Sequence, residues 1–105
     1  MAIVHEFLAE YLESTRTLFK EIKAAFEAGD MHHVSTITHR LKSSSRSVGA
    51  LALGDLFAEV ENAGKEGDRL FIAKQMQELE ATWIAVEREV CELLADNGSV
   101  PTEDV

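Results

Sequence analysis

Apolar residues recur at helical spacing from one end of the chain to the other. Val4, Phe7, Leu8, Tyr11, Leu12, Leu18, Phe19, Ile22 and Phe26 follow one another at steps of 3 and 4, which predicts a helix from about Ile3 to Ala28. Gly29 supplies a stop and Asp30 a cap for the next helix. Between Met31 and Val48 a second stripe, Val34, Ile37, Leu41 and Val48, has Ser44 and Ser45 as its small members, and Gly49 follows it. Leu53, Leu56, Phe57, Val60 and Ala63 predict a third helix. The pair Gly67-Asp68 then repeats the stop and cap of Gly29-Asp30. Ile72, Met76, Leu79, Trp83, Val86, Val90 and Leu93 form the seam of a fourth helix, expected to end near Asn97-Gly98. Proline is absent until Pro101, so nothing interrupts these segments, and the polar SVPTEDV reads as a frayed tail. Short connections favour antiparallel neighbours. The expectation is an all-α, antiparallel up-down four-helix bundle over residues 1–97, with a flexible tail at 98–105.

Composition narrows the class. At 105 residues the chain makes one domain, and its 46% apolar content argues against disorder. The single cysteine, Cys91, has no internal partner for a disulfide, which fits a reducing compartment. No run approaches the roughly 18 apolar residues of a membrane span, and the opening MAIVHEFLAEYLE is amphipathic and acidic rather than basic then apolar. A cytoplasmic protein without membrane insertion is expected. A net charge of −9 disfavours nucleic acid as a partner. Against that background His39, Arg40, Lys42 and Arg46 lie within eight residues that contain no Asp or Glu, a local basic patch suited to a local anion.

His39 is the centre of that patch. At about 100° per residue it points about 180° from the middle of the Val34, Ile37, Leu41 stripe, with Ser35, Lys42, Ser43 and Arg46 expected on its own outer face. A neutral imidazole carries a nitrogen lone pair near pH 7, its unperturbed pKa being about 6.5, and so attacks an electrophile without a helper base. A phosphoryl group attached there would bring about two negative charges within helical reach of Lys42 and Arg46. Ser43, one turn beyond the ring, is small and leaves the approach open.

Other chemistries fit less well. His32 and His39 share a face but are two turns apart, about 10 Å, too far for one zinc ion, and neither His5 nor His33 completes a ligand set, so no metal site is expected. Ser35 and Ser43 both stand four residues from His39, yet a hydrolase would also need an orienting acid and an oxyanion hole that the sequence does not place. Ser44 and Ser45 are read as packing residues. Phe7, Tyr11, Phe19, Phe26, Phe57 and Trp83 are read as core, although Ile3, Phe7 and Leu18 lie near a stripe edge that could dock a partner. Cys91 lies beside the fourth seam with no basic neighbour in sequence and receives no role.

The run His39-Arg40-Leu41-Lys42-Ser43-Ser44-Ser45 with Val48-Gly49-Ala50 closely resembles the signature of histidine-containing phosphotransfer (HPt) domains, the intermediates of multistep two-component phosphorelays. The family pattern reads roughly His-x-Leu-Lys-Gly-Ser followed by an apolar residue and Gly; Ser43 stands where many members have Gly. The resemblance implies that His39, on the second helix, is the phosphoacceptor, modified on Nε2. It also implies that Lys42 steadies the phosphoryl charge, Ser43 keeps the approach clear and Gly49 allows the turn into the third helix. Arg46 is added as a second phosphoryl-stabilising residue from helix geometry. The expected partners are response-regulator receiver domains, with a hybrid sensor histidine kinase as a further candidate, and the chain is expected to be monomeric. No cofactor of its own is expected, Mg²⁺ being carried by the receiver. With no nucleotide loop, autonomous kinase activity is not expected. The competing class is a non-catalytic helical adaptor on which His39 is an ordinary surface residue.

Overall fold

The computed structural model describes the backbone of residues 2–95 and the side chains of residues 5–95. Four helices account for almost all of this span: α1 (Ala2–Glu27), α2 (Met31–Ser47), α3 (Leu51–Glu66) and α4 (Arg69–Leu94). No strand occurs among the described residues. Ile3 and Val4 side chains, the expected end of the fourth helix at Asn97-Gly98 and the expected tail at 98–105 lie outside the described residues.

The helix boundaries have local causes. Gly29 and Gly67 both take positive φ, +81° and +71°, which lets the chain leave one helix, and the aspartate that follows each caps the next. Asp30 Oδ1 accepts from His33 N–H at 3.0 Å and Asp68 Oδ1 from Phe71 N–H at 3.1 Å, satisfying donors that a helix start leaves unpaired. α3 begins at Leu51, ahead of its first buried residue Leu53, with Gly54 N–H donating to Ala50 O at 2.9 Å; Leu51 itself is 62% exposed.

The four helices form a four-helix bundle, whose core draws on every element. Ile22, Val34, Leu41, Leu53, Phe57, Val60, Ile72 and Leu79 are all but inaccessible. At roughly 1.5–3 kcal/mol for each large apolar side chain buried, this set is the main source of stability. On the α1–α4 side Phe19 stacks on Trp83 with ring centroids 6.4 Å apart, and Tyr11 meets Trp83 edge-on at 6.1 Å. Leu18, expected at an edge, is buried, whereas Phe7 is 44% exposed rather than core. Phe7 lines a shallow groove with Glu10, Tyr11, Ser14 and Ser44, where the small Ser44 of α2 leaves its ring partly open to solvent. Phe26 is half-buried and covered by Arg69, whose guanidinium lies 4.5 Å from the ring centroid. Of the buried polar side chains, Tyr11 Oη and Ser45 Oγ lie 2.7 Å apart and Thr38 Oγ1 donates to Val34 O at 2.8 Å, whereas Thr15 Oγ1 is buried without a hydrogen-bond partner.

Two small residues bring α2 and α3 together. A Cβ on Gly64 would stand 2.8 Å from Met31 O and 2.9 Å from Ser35 Cβ, so only glycine permits this approach. Ser35 is therefore buried at 4% exposure, which corrects its expected place on an open outer face. A helical wheel divides α2 into an inside and an outside; α3 covers part of the presumed outside.

Candidate functional site

His39 stands on this α2–α3 seam, its side chain 62% exposed. Its Nδ1 lies 2.8 Å from Oε2 of Glu61, which projects from α3 and is 3% exposed as a residue. Lys42, one turn past His39 on α2, places Nζ 2.9 Å from the other oxygen of the same carboxylate, Oε1. Lys65, one turn past Glu61 on α3, approaches Oε2 at 3.3 Å. One buried carboxylate thus gathers an imidazole and two ammonium groups.

The charge state of Glu61 decides what the imidazole can do. Burial pushes its carboxyl up, but hydrogen bonds from Lys42, His39 and Lys65 together outweigh burial and bring it down from 4.5 to about 2. Near neutrality Glu61 is therefore an anion and an acceptor only. Its hydrogen bond with His39 requires the proton to sit on Nδ1, which leaves the lone pair of the neutral ring on Nε2. The arrangement selects the tautomer, orients the ring and sets a negative charge behind it.

The remaining residues singled out in the sequence are distributed as follows. Ser43 is exposed on α2 one turn beyond His39. Gly49 takes φ +88° and joins α2 to α3, with Ala50 at the N-cap of α3. Arg46 is turned away from the carboxylate cluster: its Nη2 donates to Asp55 Oδ1 at 3.1 Å, and its stem covers Gly54. His32 and His33 are exposed, with His33 Nε2 3.9 Å from Glu21 Oε1. Among the described residues, no three His, Cys, Asp or Glu side chains converge as metal ligands. A groove between α1 and α2, lined by Glu10, Glu13, Ser14, Thr17, Leu18 and Arg40, includes none of the cluster residues. Cys91 does have a basic neighbour, contrary to the sequence reading, since Arg16 Nη2 on α1 comes within 3.8 Å of its sulfur.

Glu61 is the member of this cluster that sequence reasoning missed. A signal was present: Phe57, Glu61 and Gly64 are spaced by 4 and 3, which puts a carboxylate on the buried stripe of α3, where an acid needs a cation. Lys65 is a local partner four residues on, but nothing in the local pattern says that the cross-helix partners are His39 and Lys42.

In comparison with known proteins, the sequence model of the family described as "Hpt domain" matches residues 6–96. No curated protein and no solved structure matches the chain significantly.

Proposed function

Because the chain belongs to the Hpt domain family, whose members are phosphotransfer intermediates of phosphorelays, we propose that His39 is its phosphoacceptor. It takes the phosphoryl group from the aspartyl phosphate of one receiver domain and passes it to the aspartate of another. The observation that carries this reading is the Glu61 contact: a buried anion 2.8 Å from Nδ1 prepares Nε2 as the nucleophile.

In the proposed step the Nε2 lone pair forms the N–P bond while the P–O bond to the donor aspartate breaks, its electron pair leaving on the aspartyl carboxylate. The ring keeps its Nδ1 proton and becomes cationic, and Glu61 faces that positive charge. Transfer to the second receiver reverses these changes. No base in this chain has to remove a proton. Lys42, half-buried beside the ring, is the first charge available to the phosphoryl oxygens; Arg46, held by Asp55, is a more distant one. Ser43 leaves the approach clear, and Gly49 makes the turn that sets α3 beside α2. The Mg²⁺ is assigned to the receiver.

The same reading includes the up-down antiparallel order of the bundle. Cross-helix pairs support it, Arg16 with Glu87 and Lys23 with Glu80 running in opposite senses along α1 and α4. It further takes residues 1–97 as the functional unit, monomeric and cytoplasmic, with 98–105 as a tail.

The test is direct. Incubation with a phosphorylated receiver domain should place an acid-labile, base-stable phosphate on the wild type and none on His39→Gln. The glutamine amide can still donate to Glu61, so melting should move by no more than about 0.5 kcal/mol. An unlabelled wild type would favour the adaptor, and label retained on His39→Gln would move the site to His5, His32 or His33.

A further inference from the structure

Lys42 is asked to do two things. It neutralises Glu61 through Oε1, and it is the nearest cation to an incoming phosphoryl group. A side chain at 4% exposure such as that of Glu61 cannot give up its counter-ion to water, because an unpaired buried carboxylate is strongly unfavourable. Lys42 can turn towards the phosphoryl group only if another cation stays on Glu61. His39 cannot serve while the group approaches, since its ring becomes cationic only as the N–P bond forms, and Arg46 is held by Asp55.

Lys65 is placed for that part. It approaches Oε2, the oxygen that also accepts from His39 Nδ1, and leaves Oε1 to Lys42. It belongs to the helix of Glu61, four residues towards the C-terminus, the favourable order for a Glu–Lys pair, so its contact does not depend on α2. Its side chain is 62% exposed and remains hydrated while its ammonium neutralises the acid.

Resting on the reading of His39 as phosphoacceptor, we propose that Lys65 is a positioning residue: it keeps Glu61 on Nδ1 of His39 while Lys42 swings from Glu61 to the phosphoryl group. The charges balance on this scheme. At rest, two ammonium groups face one carboxylate across a neutral ring, leaving one positive charge in excess. Arrival of the phosphoryl unit adds two negative charges on its oxygens and one positive charge on the ring, so the cluster becomes neutral. Without Lys65 the same step would start neutral and end with one uncompensated negative charge beside a buried carboxylate. The ionised state of Glu61 under its three donors supports the scheme, since a protonated acid would not need the second lysine.

The test uses the full chain, phosphorylated by phosphoramidate so that no receiver contact enters, with ¹⁵N NMR of His39 and the rate of labelling as readouts. In Lys65→Met the Nδ1–H resonance should keep its hydrogen-bonded shift before phosphorylation, because Lys42 still holds Glu61. The shift should persist afterwards, when the ring is cationic and holds Glu61 itself, but labelling should slow by about threefold to fivefold, the scale of one exposed ion pair. Lys65→Arg should restore the rate. In Lys42→Met the shift should persist in both states, with Lys65 alone holding the acid. A Lys65→Met protein that labels at the wild-type rate would overturn the proposal. Loss of the shift before phosphorylation would also overturn it, by making Lys65 a static prop. Failure of the wild type to label on His39 would be a failure of the phosphoacceptor reading itself, a distinct result.

Discussion

Glu61 has a measurable signature in acid. Despite its burial, hydrogen bonds from Lys42, His39 and Lys65 hold its carboxyl down to about 2 in the folded chain, against an ordinary value of 4.5. A depressed acid stabilises the native state above its unfolded pKa, and that stabilisation is lost as pH falls through the folded value. Denaturant midpoints of the wild type should therefore fall between about pH 4.5 and pH 2, while Glu61→Gln, with no charge to lose, should show a shallower decline there. An equally steep decline in Glu61→Gln would assign the acid sensitivity to other carboxylates. The same variant should slow transfer by about tenfold to 100-fold near neutrality, since a hydrogen bond to a charged group contributes about 1.5–3 kcal/mol. Access is a separate question at this scale. Ser43 is exposed one turn from the ring, so Ser43→Leu should fold normally yet transfer poorly, by as much as 100-fold if it holds the partner back by about 1 Å. A folded Ser43→Leu protein with full transfer rate would remove the steric role. His39, Lys42 and Ser43 were legible because one helix turn carries them all. Glu61 was not, because its partners arrive from another helix.

The α2–α3 pair holds the His39, Lys42, Glu61 and Lys65 cluster, and the two glycines of α3 differ in what they permit. A Cβ at Gly64 would meet backbone, Met31 O at 2.8 Å and Ser35 N at 3.1 Å, so the helices must part. Gly64→Ala should lower stability by about 1–3 kcal/mol despite the better helix propensity of alanine, and should slow transfer by moving Glu61 from His39. At Gly54 the nearest atom is Arg46 Cγ at 2.7 Å, part of a flexible chain that can move, so Gly54→Ala should be close to neutral or slightly stabilising. Thermal melts of the two variants decide the matter: equal losses would mean that packing across this seam does not distinguish backbone from side chain. Helix ends were readable because Gly29-Asp30 and Gly67-Asp68 act through local chemistry. The burial of Ser35 was not, since the 3.6-residue period says which residues share a face but not how many neighbours cover it.

Across the whole molecule the work is divided between a site-bearing pair and a supporting pair. α1 and α4 contribute the Phe19, Trp83 and Tyr11 ring contacts and two exposed ion pairs, Arg16 with Glu87 and Lys23 with Glu80. Exposed pairs of this kind are worth about 0–1 kcal/mol each. The double variant Glu80→Gln, Glu87→Gln should therefore melt only slightly lower and transfer at the wild-type rate. A marked drop in transfer would mean that the α1–α4 side takes part in the reaction. The turn at Gly49 bears on the order in which these parts form. Arg46 and Asp55 are 9 residues apart, and His39 and Glu61 are 22 apart. The α1–α4 pairs close over 57 and 71 residues. Loop-closure entropy grows with that separation, and chains rich in local contacts fold fastest. In kinetic terms the imidazole meets its acid through a short closure, ahead of the long-range pairings that complete the bundle.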